Sequence, residues 1–245
     1  MDSSVSYHPI SKEQMREWYF DAFEDIGVCN TLEQKIPEKQ LKNHDKEEVE
    51  AYYKDKYKTI IQRSRELDYN NFNKWHAYFI AISQGFFETF YFVQGAAISG
   101  IIDPEFHETY VSDWAEIIPS EYIEDLEYTN KLQGAYSAGV FISPEQVKQL
   151  LNDYKNDPVI KELLEGQFTG SKIEVFLSAL NHASKNNQGL LEATKVIEQK
   201  SELFEEPECF SNVFNCDVMS AAVYTSELAA KFDSIYKGTG ESSIT

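Results

Sequence analysis

The most apolar part of this chain, HAYFIAISQGFFETFYFVQGAAISGII (residues 76–102), is broken by a few polar side chains that offer its clearest chance of chemistry. Gln84, Glu88, Tyr91 and Gly95 fall at i, i+4, i+7 and i+11, so on a helix the polar groups share one face. A carboxylate on that face is partly stripped of water. Its pKa then rises toward the range useful for general acid–base catalysis, which makes Glu88 the candidate catalytic residue. The plainer role for the same side chain is a buried glutamate satisfied by a lysine, an arginine or a tyrosine.

Other chemical signatures fail on spacing. His107-Glu108 opens like the zinc motif HExxH, but no histidine follows at the fourth position. The five histidines, His8, His44, His76, His107 and His182, are scattered singly, and Cys209 and Cys216 have no second pair, so no metal site and no cofactor are expected. Ala135-Tyr136-Ser137-Ala138-Gly139 resembles a nucleophile elbow, which needs a strand before its serine and a helix after it. Here the β-branched and aromatic residues Val140, Phe141 and Ile142 come after the serine instead. Gly95 to Gly100 lacks the lysine of a phosphate loop.

Charge says more than any motif. From Trp75 to Asn130 there is no lysine or arginine, yet there are ten acids. Nine of them lie within 25 residues: Asp103, Glu105, Glu108, Asp113, Glu116, Glu121, Glu124, Asp125 and Glu127. Such a stretch projects a negative field, attracts cations or a basic protein partner, and repels the phosphate backbone of nucleic acid. Trp114 and Tyr122 sit among these acids and suit the role of interface anchors, because aromatics bury area at low entropic cost. Charge runs more often form a solvated surface whose aromatics turn inward; the lack of any balancing base brings the two readings level.

The whole chain has 245 residues, 41 acids, 22 bases and a net charge of −19. Residues 1–70 hold 15 acids and 11 bases, and 71–245 hold 26 and 11, so the excess lies in the second part. With 42% hydrophobic residues the chain can bury a core without disulfides or metals. Three cysteines suit a reducing compartment, and the first residues, MDSSVSYHPISKEQ, have neither the basic nor the apolar region of a secretory signal. The chain therefore reads as cytoplasmic. The stretch 76–102 is long enough to span a bilayer, but Gln84, Glu88 and Gln94 interrupt it and no basic cluster flanks it, so no membrane contact is expected.

Periodicity and punctuation supply the elements. Ser11 caps a helix 12–26 with Met15, Trp18, Tyr19, Ala22, Phe23 and Ile26 on one stripe, and Asp45 caps another over 46–67. Residues 72–98 are apolar on most sides and predict a long central helix around which others pack. Shorter helices are expected over 105–117 and 120–129. Ser143-Pro144 and Asp157-Pro158 open helices over 144–154 and 158–165, and Ser171 opens 172–185. A last helix covers 217–236. The small and β-branched residues near 135–142 suggest a short strand that pairs near 190–197.

These features predict a mainly α protein, one helical domain over 1–237 with a long apolar central helix, a minor β element (α+β), and a disordered tail at 238–245. The functional expectation is an acidic binding protein that recognises or neutralises a basic partner, in the manner of an immunity protein or inhibitor. Its partner-binding residues are Trp114, Tyr122 and the nine acids of the run. The alternative is a small enzyme with a polar pocket around Glu88.

Overall fold

A computed structural model of the protein describes residues 4–36, 46–67, 72–123, 138–198, 208–220 and 222. Among them a four-stranded antiparallel sheet runs between two sets of helices, an α+β arrangement richer in helix than in strand. The strands are β1 (Ser4–Ile10), β2 (Tyr91–Gln94), β3 (Ala138–Ile142) and β4 (Gly189–Thr194), in the order β2-β1-β4-β3. The pairing expected between 135–142 and 190–197 is present: Phe141 stands opposite Leu191, and Ile142 opposite Leu190.

Caps set most helix starts. Ser11 accepts the Gln14 backbone N–H while the Gln14 side chain accepts the Ser11 N–H, and Ser143 and Gln146 repeat this box. The first box opens α1 (Lys12–Met15), which a π-helical turn, Arg16–Phe20, joins to α2 (Asp21–Glu24). Next come α3 (Cys29–Leu32) and α4 (Lys46–Ser64), then α5 (Lys74–Phe87), capped by the Asn73 side chain. The Asp103 and Asp157 side chains cap α6 (Pro104–Tyr110) and α8 (Pro158–Gln167), and the second serine box opens α7 (Pro144–Asn156). α9 (Lys172–Lys185) starts after Ser171, whose hydroxyl makes no capping hydrogen bond, contrary to its expected role. A short ribbon, β5 (Ile197–Glu198) with β6 (Glu208–Cys209), lies beside the main sheet in sequence.

Both faces of the sheet are covered. One side of β1 and β4 presents Ile10, Leu191 and Ala193 to a core shared with Trp18, Tyr19, Ile80 and Phe86. The other side presents Val5, Tyr7 and Leu190 to a core shared with Val147, Leu150, Phe176 and Leu180. α5 therefore packs on one face, and α7 and α9 on the other.

That layering corrects two expectations. The predicted long central helix over 72–98 does not form. α5 stops at Phe87, Glu88 takes extended backbone angles (φ −137°, ψ 158°), and Tyr91–Gln94 joins the sheet edge against β1. A strand buried on both faces is apolar throughout, so it lacks the period-2 signal and reads as more of the helix that precedes it. β1 is missed for a different reason: Ser4-Val5-Ser6-Tyr7 does alternate, but the run is short and Pro9, which strands disfavour, follows it, although all seven residues are buried. In place of the single helix expected over 105–117 there are α6 and a 3-10 turn at Trp114–Glu116. Of the segment 120–129, a 3-10 turn at Ser120–Tyr122 is described. Among the described residues no helix is long and apolar enough to cross a membrane. The Asp45 cap, Ser137, most of the helix expected over 217–236, and the tail 238–245 lie outside the described residues.

Candidate functional site

The end of α5 brings Glu88 into a half-exposed polar cluster. Its Oε1 lies 3.3 Å from Nε2 of His182 on α9, and Oε2 accepts the Gln188 amide at 3.4 Å. Nδ1 of His182 is 3.0 Å from the Tyr91 hydroxyl on β2. Gln188 also donates to Oε1 of Gln14 at 2.8 Å, while its own buried carbonyl oxygen has no hydrogen-bond partner among the described residues. The cluster thus gathers α1, the end of α5, β2 and α9 at one edge of the sheet.

Electrostatics here differ from the expectation. Burial pushes the Glu88 carboxyl up, but the His182 hydrogen bond and charge, the Gln188 amide and the Thr89 N–H outweigh it and hold it below the ordinary carboxylate range. Burial and the nearby Asp217 and Glu88 charges push the Tyr91 phenol up to about 12. An ionised carboxylate can only accept, so Nε2 of His182 carries the proton facing Glu88. Nδ1 is then occupied by Tyr91, and the imidazole has no nitrogen left for a ligand. Gln84 does not share this face, as the single-helix reading required. It is wholly buried and turns toward β1.

Gln84 belongs to a second network inside the protein. Its Oε1 lies 2.8 Å from Nδ1 of His8, whose Nε2 lies 2.8 Å from the Ser6 hydroxyl, and its amide donates to the carbonyls of Pro9 and Thr89. His8 stacks on Phe90 at 5.3 Å and burial pulls its pKa down to about 4, so it is neutral near pH 7. The order Ser–His–amide mimics a nucleophilic relay. Ser6 and His8 are at most 1% exposed, which seals the serine from any substrate.

A third group, Glu192 on β4, is buried to 1% exposure and escapes sequence reasoning because one acid in an apolar strand has no spacing to read. It accepts from Tyr7 (3.0 Å), from the Ile98 N–H (2.5 Å) and from the Ser99 hydroxyl (2.5 Å). Burial raises its pKa against these donors. Its role is to hold the turn at Ile98–Gly100 against the sheet.

The acidic run divides between surface and core. Asp103, Glu105, Glu108, Glu116 and Glu121 are exposed, and Asp113 is half-buried with its carboxylate on the Ala115 N–H. None of these six forms a salt bridge among the described residues, although the Lys12 ammonium hydrogen-bonds the Glu116 carbonyl. Glu124, Asp125 and Glu127 lie outside the described residues. Trp114 and Tyr122 do not serve as surface anchors, because each is 1% exposed. Trp114 packs between Phe72 (5.1 Å) and Phe141 (6.1 Å), and Tyr122 against Phe20 (4.8 Å). Their apolar area is worth more in the core than in water.

The large side chains that do face solvent near the acids are Ile102 and Val159, on the turn before α6 and at the start of α8. Among the described residues no group of three or more His, Cys, Asp or Glu is placed to hold a metal ion. Comparison of this chain with protein-family models, with curated proteins and with solved structures found no match.

Proposed function

We propose that the protein binds a basic protein partner through the acidic surface carried by α6 and the turns C-terminal to it. The observation behind this reading is that five acids, Asp103, Glu105, Glu108, Glu116 and Glu121, are exposed without a salt-bridge partner among the described residues. Exposed charges act over roughly 10 Å at about 0.1 M salt, so together they steer an oppositely charged surface into place. A partner whose own function needs its basic surface is neutralised when that surface is covered, which is an immunity- or inhibitor-like role.

The Glu88 cluster supports an enzyme less well. Its histidine is held on both nitrogens, and its carboxyl is held down rather than raised toward neutral pH.

The test compares the wild-type chain with the quadruple variant Glu105→Lys, Glu108→Lys, Glu116→Lys, Glu121→Lys. A basic protein retained from native lysate at low salt should be released at high salt and should fail to bind the variant. Its association rate should fall with salt much more than its dissociation rate rises. Retention that ignores both salt and the four reversals defeats the proposal.

A further inference from the structure

Ile102 is 94% exposed and Val159 72% exposed, unusual values for aliphatic side chains. Though distant in sequence, they line the same open groove of about 560 Å³, between Gly100–Asp103 on one wall and α8 on the other. Single exposed apolar residues are ordinary; these two lie on the opposite walls of one shallow groove, so a single partner segment can cover both at once.

The walls are held in place from behind. Glu192 accepts the Ile98 and Ser99 N–H groups, and the Gln167 amide donates to the Ala97 carbonyl at 2.6 Å. Nε2 of His107 lies 2.7 Å from the Ile101 carbonyl, and the Ile101 side chain is buried, so Ile102 must face outward. The frame is therefore formed before any ligand arrives, which lowers the ordering cost of binding.

Charge selects the occupant. Asp103 and Glu162 line the groove, and Glu105 is exposed just beyond Asp103. The one base close by on α8, Lys161, is 3.9 Å from Glu165. We infer that this groove seats an aliphatic side chain of the basic partner, with lysine or arginine on either side reaching toward Asp103 and Glu162. This rests on the acidic-surface reading and replaces the buried Trp114 and Tyr122 by Ile102 and Val159 as the apolar contact.

The test uses two fluorescent synthetic peptides of equal charge, Lys-Lys-Leu-Lys-Lys and Lys-Lys-Ser-Lys-Lys, titrated against the full chain by anisotropy. Burying one leucine should favour the first peptide by at least about fivefold. The double variant Ile102→Ser, Val159→Ser should erase that preference while leaving the thermal melt unchanged, since both side chains are exposed. Gly166→Trp gives a second route: Gly166 lines the groove and an added Cβ there meets no atom within 4 Å, so the larger side chain starts into open space, and an unchanged thermal melt checks that the fold is kept. It too should remove the preference.

Equal binding of both peptides, weakened by salt, would overturn the groove and leave the acidic surface standing. A preference that survives in both variants places the leucine elsewhere and also overturns it. No binding of either peptide would count against the groove and the acidic surface together.

Discussion

Tyr7 and Glu192 are cross-strand partners on β1 and β4, and the tyrosine hydroxyl donates to the buried carboxylate at 3.0 Å. Among the described residues its other hydrogen-bond partners are donors as well: the Ile98 and Ser99 N–H groups and the Ser99 hydroxyl. Glu192→Gln keeps the shape but turns one acceptor into a donor. The expected cost is about 2 kcal/mol, read as a lower denaturant midpoint with unchanged slope. An unchanged midpoint would mean that the donors are satisfied elsewhere.

Gly139 stands against the same carboxylate. A Cβ built on it falls 2.1 Å from Oε1 of Glu192, a group pinned by its own hydrogen bonds. Gly139→Ala should therefore destabilise by about 1–3 kcal/mol. At Gly166, on exposed helix with free space, alanine should instead stabilise by up to about 1 kcal/mol. Thermal melts of the two variants should move in opposite directions.

Several helix starts were legible in the sequence because a cap is a local event: Ser11, Ser143 and Asp157 each bond a backbone N–H within three residues and so mark the first turn. The sheet was legible at β3 and β4, where Val140, Phe141 and Ile142 come after small residues. It was hidden at β2, whose apolar Tyr91, Phe92 and Val93 carry no alternation, and at β1, where the short alternation Ser4-Val5-Ser6-Tyr7 is interrupted by Pro9. Glu88 could be singled out, but its partners His182 and Gln188 come from the far side of the sheet in sequence, and no spacing rule connects them. The acids of the run showed their exposure through composition, whereas the inward turn of Trp114 and Tyr122 depends on which neighbours the fold delivers.

His8 gives a pH dependence with a definite sign. Its pKa is about 4 in the folded protein against an ordinary 6.5, because burial penalises the imidazolium. The unfolded chain therefore binds the extra proton more readily, and the histidine's contribution is complete above pH 6.5. It is lost as pH falls from 6.5 toward 4, by about 3 kcal/mol over that window. Stability measured by denaturant unfolding should decline across it, and His8→Asn should flatten the decline. A wild-type profile level between pH 6.5 and 4 would show that the imidazole is not sealed from water.

Glu88 and His182 allow a test at a single site. With His182 at 3.3 Å, the Glu88 carboxyl titrates below its ordinary value of 4.5 despite partial burial. Its folded pKa is depressed, so its contribution to stability is present above pH 4.5 and disappears as pH falls through the lowered value. His182→Phe keeps a planar ring on α9 but removes the opposing charge and hydrogen bond. Burial then acts with less opposition, and the Glu88 carboxyl should titrate higher than in the wild type in a carbon-13 NMR titration. The stability gap between wild type and variant should also narrow as pH falls through the lowered Glu88 value, where the protonated carboxyl no longer gains from His182. A Glu88 titration that does not move in the variant would show that Gln188 and the Thr89 N–H, rather than His182, hold the carboxyl down.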